Sequence, residues 1–182
     1  MKIRSRMTSA AVGITLFAAP SAPPRALAQG FQVADINTAT PGSDILTSPS
    51  GALLGGQLYF GVADQVDGQL WRSNGSVGGT VPIAIPTPGS ASAVELATAA
   101  GAFVFFEFSD PSAGAELWRT DGTAAGTIRL ADIRPGSQAA QIGEIVALGA
   151  IVLFTASDGT SGIELWRSDG TPGGTALVKD IA

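Results

Sequence analysis

The side chains of this chain that could do chemistry are few, and they recur at a fixed interval. Glu116 and Glu164 each stand before Leu-Trp-Arg, Arg119 and Arg167 follow three positions on, and Asp121 and Asp169 open an Asp-Gly-Thr run. A pair of carboxylates is what glycoside hydrolysis requires, one as acid and the other as base or nucleophile. Asp-Gly loops could offer oxygen to calcium, which takes about six to eight oxygen ligands. Trp71, Trp118 and Trp166 could make a ring of flat surfaces on which sugars stack.

Each of these readings has a plainer rival. A tryptophan at the same place in every repeat fills the gap between neighbouring units, its indole N–H hydrogen-bonded. Asp121 and Asp169 offer one carboxylate per loop, with none of the alternating acids of a calcium loop. The expected arrangement is an Asx-turn, in which the carboxylate accepts N–H groups of its own loop. Glu116 and Glu164 repeat as well, whereas catalytic residues occur once per fold. The plain reading makes them strand-face charges paired to an Arg, of small value if exposed.

Composition removes most other chemistries. There is no histidine and no cysteine, which eliminates Ser-His-Asp triads, thiol nucleophiles, disulfides and the usual zinc ligands. The two lysines are Lys2 and Lys179, so a Schiff-base mechanism has one poor candidate. "GSVGGT" and "TPGGT" are Gly-rich but lack the GK[ST] of a phosphate loop. No catalytic residue and no cofactor are expected; Asp121 and Asp169 are weak calcium candidates.

The first 28 residues have the layout of a signal peptide. Lys2, Arg4 and Arg6 precede the apolar run "AAVGITLFAA" and a Pro-rich stretch leading to Ala26-Leu27-Ala28. The run is too short to span a bilayer, and cleavage is expected near Ala28. This segment holds four of the ten basic residues and no acid, so residues 29–182 carry six basic against fifteen acidic, a net charge of −9. That argues against nucleic acid and anionic membranes as partners. Residues 29–182 are expected to act outside the cytoplasm, secreted, periplasmic or at the cell surface, with no membrane span.

The elements that must position these side chains follow from the repeat. "ELWRTDGTAAGT" (116–127) returns as "ELWRSDGTPGGT" (164–175), 48 positions later, and a worn copy, "QLWRSNGSVGGT" (69–80), lies 47 positions before the first. Around each copy the order is the same: a Pro-Gly turn, a modest strand (expected at 52–54, 94–97 and 142–146), an apolar strand, a Gly turn, the Leu-Trp-Arg strand, the Asp-Gly or Asn-Gly loop, and a last strand. The apolar strands "LYFGVA", "FVFFEF" and "IVLFTA" are apolar on both faces, which predicts that both are covered. Gly122 and Gly170 supply the positive φ that such loops need.

A four-stranded antiparallel unit of about 48 residues with both faces buried is the pattern of a β-propeller blade. A β-solenoid-like stack is the alternative, though its coils are usually shorter. The expected fold is all-β. Blade one covers 37–85, blade two 86–133 and blade three 134–182, preceded by an orphan strand at 32–36 that matches "LADI" and "VKDI".

The repeated motif, together with "LADI", "VKDI" and "PGS", resembles the ELWxxDGT repeat family of exported bacterial proteins. The resemblance covers residues 32–181. It implies a surface or secreted protein of propeller-like blades and implies no reaction. The first unit departs from the pattern: Gln69 replaces Glu, Asn74 replaces Asp, Ser76 replaces Thr, and Ala84 stands where Asp132 and Asp180 stand.

The function that follows is a structural or protein-interaction repeat module without catalytic activity. A carbohydrate-binding surface protein is the alternative, and a fragment of a carboxylate-based glycoside hydrolase or lyase the distant third. Three blades are too few to close a ring, which takes about four or more. The first and last blades should therefore leave open apolar faces, so that the chain either belongs to a longer array or associates with another copy.

Overall fold

The computed structural model describes residues 44–45, 51–63, 68–86 and 94–181. The leader at 1–28, the orphan strand at 32–36 and the turns at 40–43 and 87–90 lie outside the described residues. All described strands belong to one compact unit, Gln32–Ala182. Every strand pairing is antiparallel.

The chain is all-β, and its described residues form three sheets, one per repeat. The first holds β1 (Asp44–Ile45), β2 (Ala52–Leu54), β3 (Gln57–Ala63), β4 (Gly68–Ser73) and β5 (Val81–Ile83). Both β1 and β2 pair with β3, at opposite ends of it. The second sheet is β6 (Val94–Ala100), β7 (Phe103–Asp110), β8 (Gly114–Thr120) and β9 (Ile128–Arg129). The third is β10 (Ile145–Leu148), β11 (Ile151–Ala156), β12 (Glu164–Ser168) and β13 (Ala176–Lys179). From β2, β6 and β10 onward each runs as a meander, and Pro82 is tolerated because β5 is an edge strand that needs no donor there.

The boundaries differ from expectation at the first strand of the later repeats. β6 extends to Ala100, beyond the expected 94–97, while β10 begins at Ile145 rather than Ile142. The physical reason for the second lies in the backbone before it. Gln141 has φ +53°, and Ala140 bridges two elements, its N–H donating to Ala115 O and its carbonyl accepting from Ser157 N. Ala140 and Ile142 therefore contribute buried side chains without lying in the ladder.

The sheets pack face to face, and register decides which residues meet. In β7 the even positions Val104, Phe106 and Phe108 join Trp118 and Val94 in a cluster with Ala52, Tyr59, Leu70 and Ile83 of the first sheet. The odd position Phe105 joins Leu117 and Ala100 in a cluster with Ile145, Val152, Phe154 and Ala156 of the third. The second sheet is thus buried on both faces, as its two-sided apolar pattern predicts. Strand β6 lies beside both β2 and β10, and Thr98 Oγ1 donates across to the Ile145 carbonyl at 2.9 Å.

Candidate functional site

The Asp-Gly-Thr loop after each Leu-Trp-Arg strand is closed by its own side chains. Asp121 Oδ1 accepts the Thr123 N–H at 2.9 Å and the Thr123 hydroxyl at 2.7 Å. The Thr123 oxygen in turn accepts the Gly126 N–H at 2.9 Å. The Thr127 hydroxyl donates to the Thr123 carbonyl at 2.7 Å, so the Thr120–Thr127 bond at 2.8 Å must run from Thr120. The Thr120 oxygen is then free to accept the Gly122 N–H at 2.9 Å. Loop 169–175 repeats this arrangement with Ser168, Asp169, Thr171 and Thr175, and loop 74–80 repeats it with Ser73, Asn74, Ser76 and Thr80.

This geometry is an Asx-turn continued into a hydroxyl relay. It explains why Asn74 and Ser76 are accepted in the first repeat: each supplies the same oxygen at the same place. It also explains the second glycine of the motif. A Cβ on Gly126 or Gly174 would lie about 2 Å from the Asp121 or Asp169 carboxylate. The Thr123 hydroxyl, then the Thr123 N–H, holds the Asp121 carboxyl below the ordinary carboxylate range, and Thr171 does the same for Asp169. Among the described residues, no group of three or more acidic side chains converges on one point.

Glu116 is fully buried, and its two oxygens accept backbone N–H groups seventeen and eighteen residues downstream: Ile133 N to Oε2 and Arg134 N to Oε1, both at 3.0 Å. Glu164 does the same with Oε2, which accepts the Ile181 N–H at 2.7 Å. Its Oε1 has no partner among the described residues, and the counterpart of Arg134 N would belong to residue 182, which lies outside them. Each glutamate therefore fastens the segment that leaves the last strand of its own sheet.

This corrects the expectation that the glutamates pair with arginines. Residues three apart on a strand point to opposite faces, so Glu116 and Arg119 do not meet. The Arg119 guanidinium instead lies over the Phe103 ring, 3.9 Å from its centroid, a cation–π contact. Burial pushes the Glu116 carboxyl up to about 7, against the opposing pull of its two backbone donors. Glu107 is also pushed up to about 7, first by burial and then by the charges of Glu95 and Glu116. Glu95 is its cross-strand partner on the same face.

The tryptophans occupy equivalent places with unequal surroundings. Trp118 is 4% exposed and meets Phe108 edge to face, with ring centroids 5.3 Å apart. Its indole N–H has no hydrogen-bond partner among the described residues, contrary to the expectation that it would be bonded; its surroundings are the aromatic and aliphatic side chains between the first two sheets. Trp166 packs on the cluster between the second and third sheets and donates to the Ala156 carbonyl at 3.2 Å. Trp71 is half-buried and donates to Gln69 Oε1 at 3.1 Å, which gives the substituted Gln69 a use of its own.

Gly122 and Gly170 join the loops to the neighbouring sheet. Gly122 has φ +93°, and a Cβ there would lie 2.5 Å from the Tyr59 hydroxyl of the first sheet. Gly170 has φ +86°, and its Cβ would lie 2.6 Å from Phe103 and 3.4 Å from Phe105 of the second. Gly75, at φ +84°, has nothing within 4 Å. Gly75→Ala is therefore expected to cost about 1 kcal/mol from backbone strain alone. Gly122→Ala should cost about 2 kcal/mol or more, because overpacking is added. Equal losses of thermal stability in the two variants, measured where the chains are monomeric, would show that Gly122 does not touch the neighbouring sheet.

Sequence reasoning singled out Glu116, Glu164, Asp121, Asp169 and the tryptophans, and the structure disperses them. Each carboxylate is held within its own repeat, and the glutamates are not brought together. Tyr59, Phe103 and Phe105, which receive the loops, were not singled out; their signal was the aromatic immediately before the Phe of the apolar strand at Tyr59 and Phe105, and the aromatic that opens the strand at Phe103.

Comparison with protein-family models and with curated proteins returns no match. Among solved structures, the crystal structure of the computationally designed Ika4 protein is similar at 18% sequence identity and a TM-score of 0.46, covering 84% of this chain and 79% of that one.

Proposed function

We propose that the chain is an exported repeat module of the ELWxxDGT type, built of propeller-like blades, whose role is structural or interactive rather than catalytic. One observation carries the reading: the side chains of the repeated motif are engaged in building the repeat. Asp121 and Asp169 close their own loops, Glu116 and Glu164 fasten their own downstream backbone, and Trp118 lies between two sheets. Carboxylates already engaged by donors of their own repeat, two backbone N–H groups at Glu116 and an N–H with a hydroxyl at Asp121 and Asp169, are poorly placed to act as an acid, a base or a metal ligand. The adjacency of β2, β6 and β10 supports blades arranged about a common inner edge. The basic start, the apolar run and Ala26-Leu27-Ala28 support export.

The test is a panel of chromogenic glycosides across pH 4–8, with Glu116→Gln as control, alongside melting in chelator and in millimolar calcium. The expected results are no turnover and equal melting temperatures. Turnover that vanishes in a folded Glu116→Gln variant would overturn the non-catalytic reading. A calcium-dependent rise in melting temperature that is lost in Asp121→Ala would overturn the absence of a metal.

A further inference from the structure

The two end sheets of the stack carry the two halves of one interface. Across the internal junctions, the forward face of one sheet meets the backward face of the next. Phe105, Leu117 and Ala100 on the forward face of the second sheet are buried against Val152, Phe154 and Trp166 on the backward face of the third. The register of the ladders carries these positions onto the ends of the stack. On the third sheet, the forward positions equivalent to Thr98, Ala100, Phe105 and Leu117 are Val146, Leu148, Leu153 and Leu165. Val146 is 49% and Leu148 60% exposed, whereas Ala100 is 4%, Phe105 0% and Leu117 0%.

On the first sheet the backward positions equivalent to Val104, Phe106 and Trp118 are Leu58, Phe60 and Trp71. Leu58 is 40% exposed and its cross-strand partner Leu53 72%, whereas Val104 and Phe106 are both 0%. Gly75 marks the same absence from the loop side. Its counterparts Gly122 and Gly170 each rest on the Tyr59 or Phe105 position of the sheet before, and Gly75 rests on nothing among the described residues. Exposed apolar faces of this kind mark association surfaces.

We infer that the backward face of the first sheet receives the forward face of the third sheet of a second copy of this chain, head to tail, with Gly75 of one copy seated at Leu153 of the other. The choice of occupant follows from continuity: the same positions already form this junction twice within one chain. Such a contact is heterologous, joining two different faces, and either closes into a ring or runs on as a filament. The described residues of two copies supply six sheets, a number within the roughly four to eight of closed propellers. The inference rests on the blade reading above.

The experiment is sedimentation of the full chain with two surface variants, Leu58→Glu on the backward face and Leu148→Glu on the forward face. Both positions are exposed, so folding should survive. The expected wild-type mass is that of two chains. Each variant alone should be monomeric, and an equimolar mixture should recover a one-to-one pair, because one intact junction remains between the two. Since the chain has no cysteine, Gly75→Cys and Leu153→Cys placed on separate copies should cross-link on oxidation. A monomeric wild type, or association that persists in either single variant, overturns the inference. If it fails while Gly122→Ala remains more damaging than Gly75→Ala, the stacked-sheet reading stands and only the second copy is lost. If that difference disappears as well, the blade reading fails with it.

Discussion

Trp118→Ala is expected to lower the free energy of unfolding by about 3–5 kcal/mol, the range for truncating a buried aromatic. The residue is 4% exposed and lies in the cluster that joins the first two sheets, edge to face with Phe108. Its loss would leave a void beside Phe108 in a cluster whose other members are fixed in the strands of two sheets, so the site cannot easily collapse. Trp71→Ala, on the half-buried backward face of the first sheet, should cost only about 1–2 kcal/mol, since less apolar surface returns to water. Chemical denaturation of both variants, under conditions where the chains are monomeric, measures the difference. Equal losses would mean that Trp118 does not fill the gap between sheets.

Raising the pH from about 4.5 to 7 should destabilise the protein by about 2–3 kcal/mol through a single carboxyl. The cause is Glu107, whose carboxyl is pushed up to about 7 in the folded chain by burial and then by Glu95 and Glu116, against an ordinary value of 4.5. Between those two values the folded state binds more protons than the unfolded state, so stability falls with rising pH and levels off above about 7. Glu116 acts in the same direction. The aspartates act in the opposite sense. Asp110, Asp121, Asp158 and Asp169 are held low by hydroxyl and backbone donors of their own turns, so their contribution is lost as pH falls below the ordinary carboxylate range. The melting temperature should therefore peak at mildly acidic pH. Glu107→Gln removes the buried charge and should raise the melting temperature at pH 8 while flattening the fall from pH 5. It is a cleaner probe than Glu116→Gln, which would also disturb two backbone hydrogen bonds. A melting temperature constant from pH 5 to 8, or an unchanged slope in the variant, would exclude this account.

The loop chemistry shows how one local rule can be read in advance and another cannot. Asp121 accepting Thr123 is a contact between residues two apart, set by side-chain length and the positive φ of Gly122, and Asp-Gly-Thr announces it. The clamp by Glu116 reaches Ile133 and Arg134. Which N–H groups come within reach depends on how β9 ends and where the chain turns, and no spacing in the motif encodes that. The opposite placement of Glu116 and Arg119 was, by contrast, legible in the two-residue period of a strand.

By itself the sequence determined the repeat, the antiparallel four-strand order common to the units though not the additional β1 of the first sheet, the loops and the need to cover both faces of the apolar strands. These follow from turn residues and alternation, which act over a few neighbours and are written afresh in every copy. Only the tertiary structure decided that equivalent residues have unequal fates: Trp118 buried and Trp71 half-buried, Phe105 covered and its equivalent Leu153 partly open, Gly122 against Tyr59 and Gly75 against nothing. The physical reason is that burial belongs to a pair of surfaces. A repeat can specify the face it offers, but what meets that face depends on the neighbour, and the first and last sheets each have one neighbour fewer among the described residues.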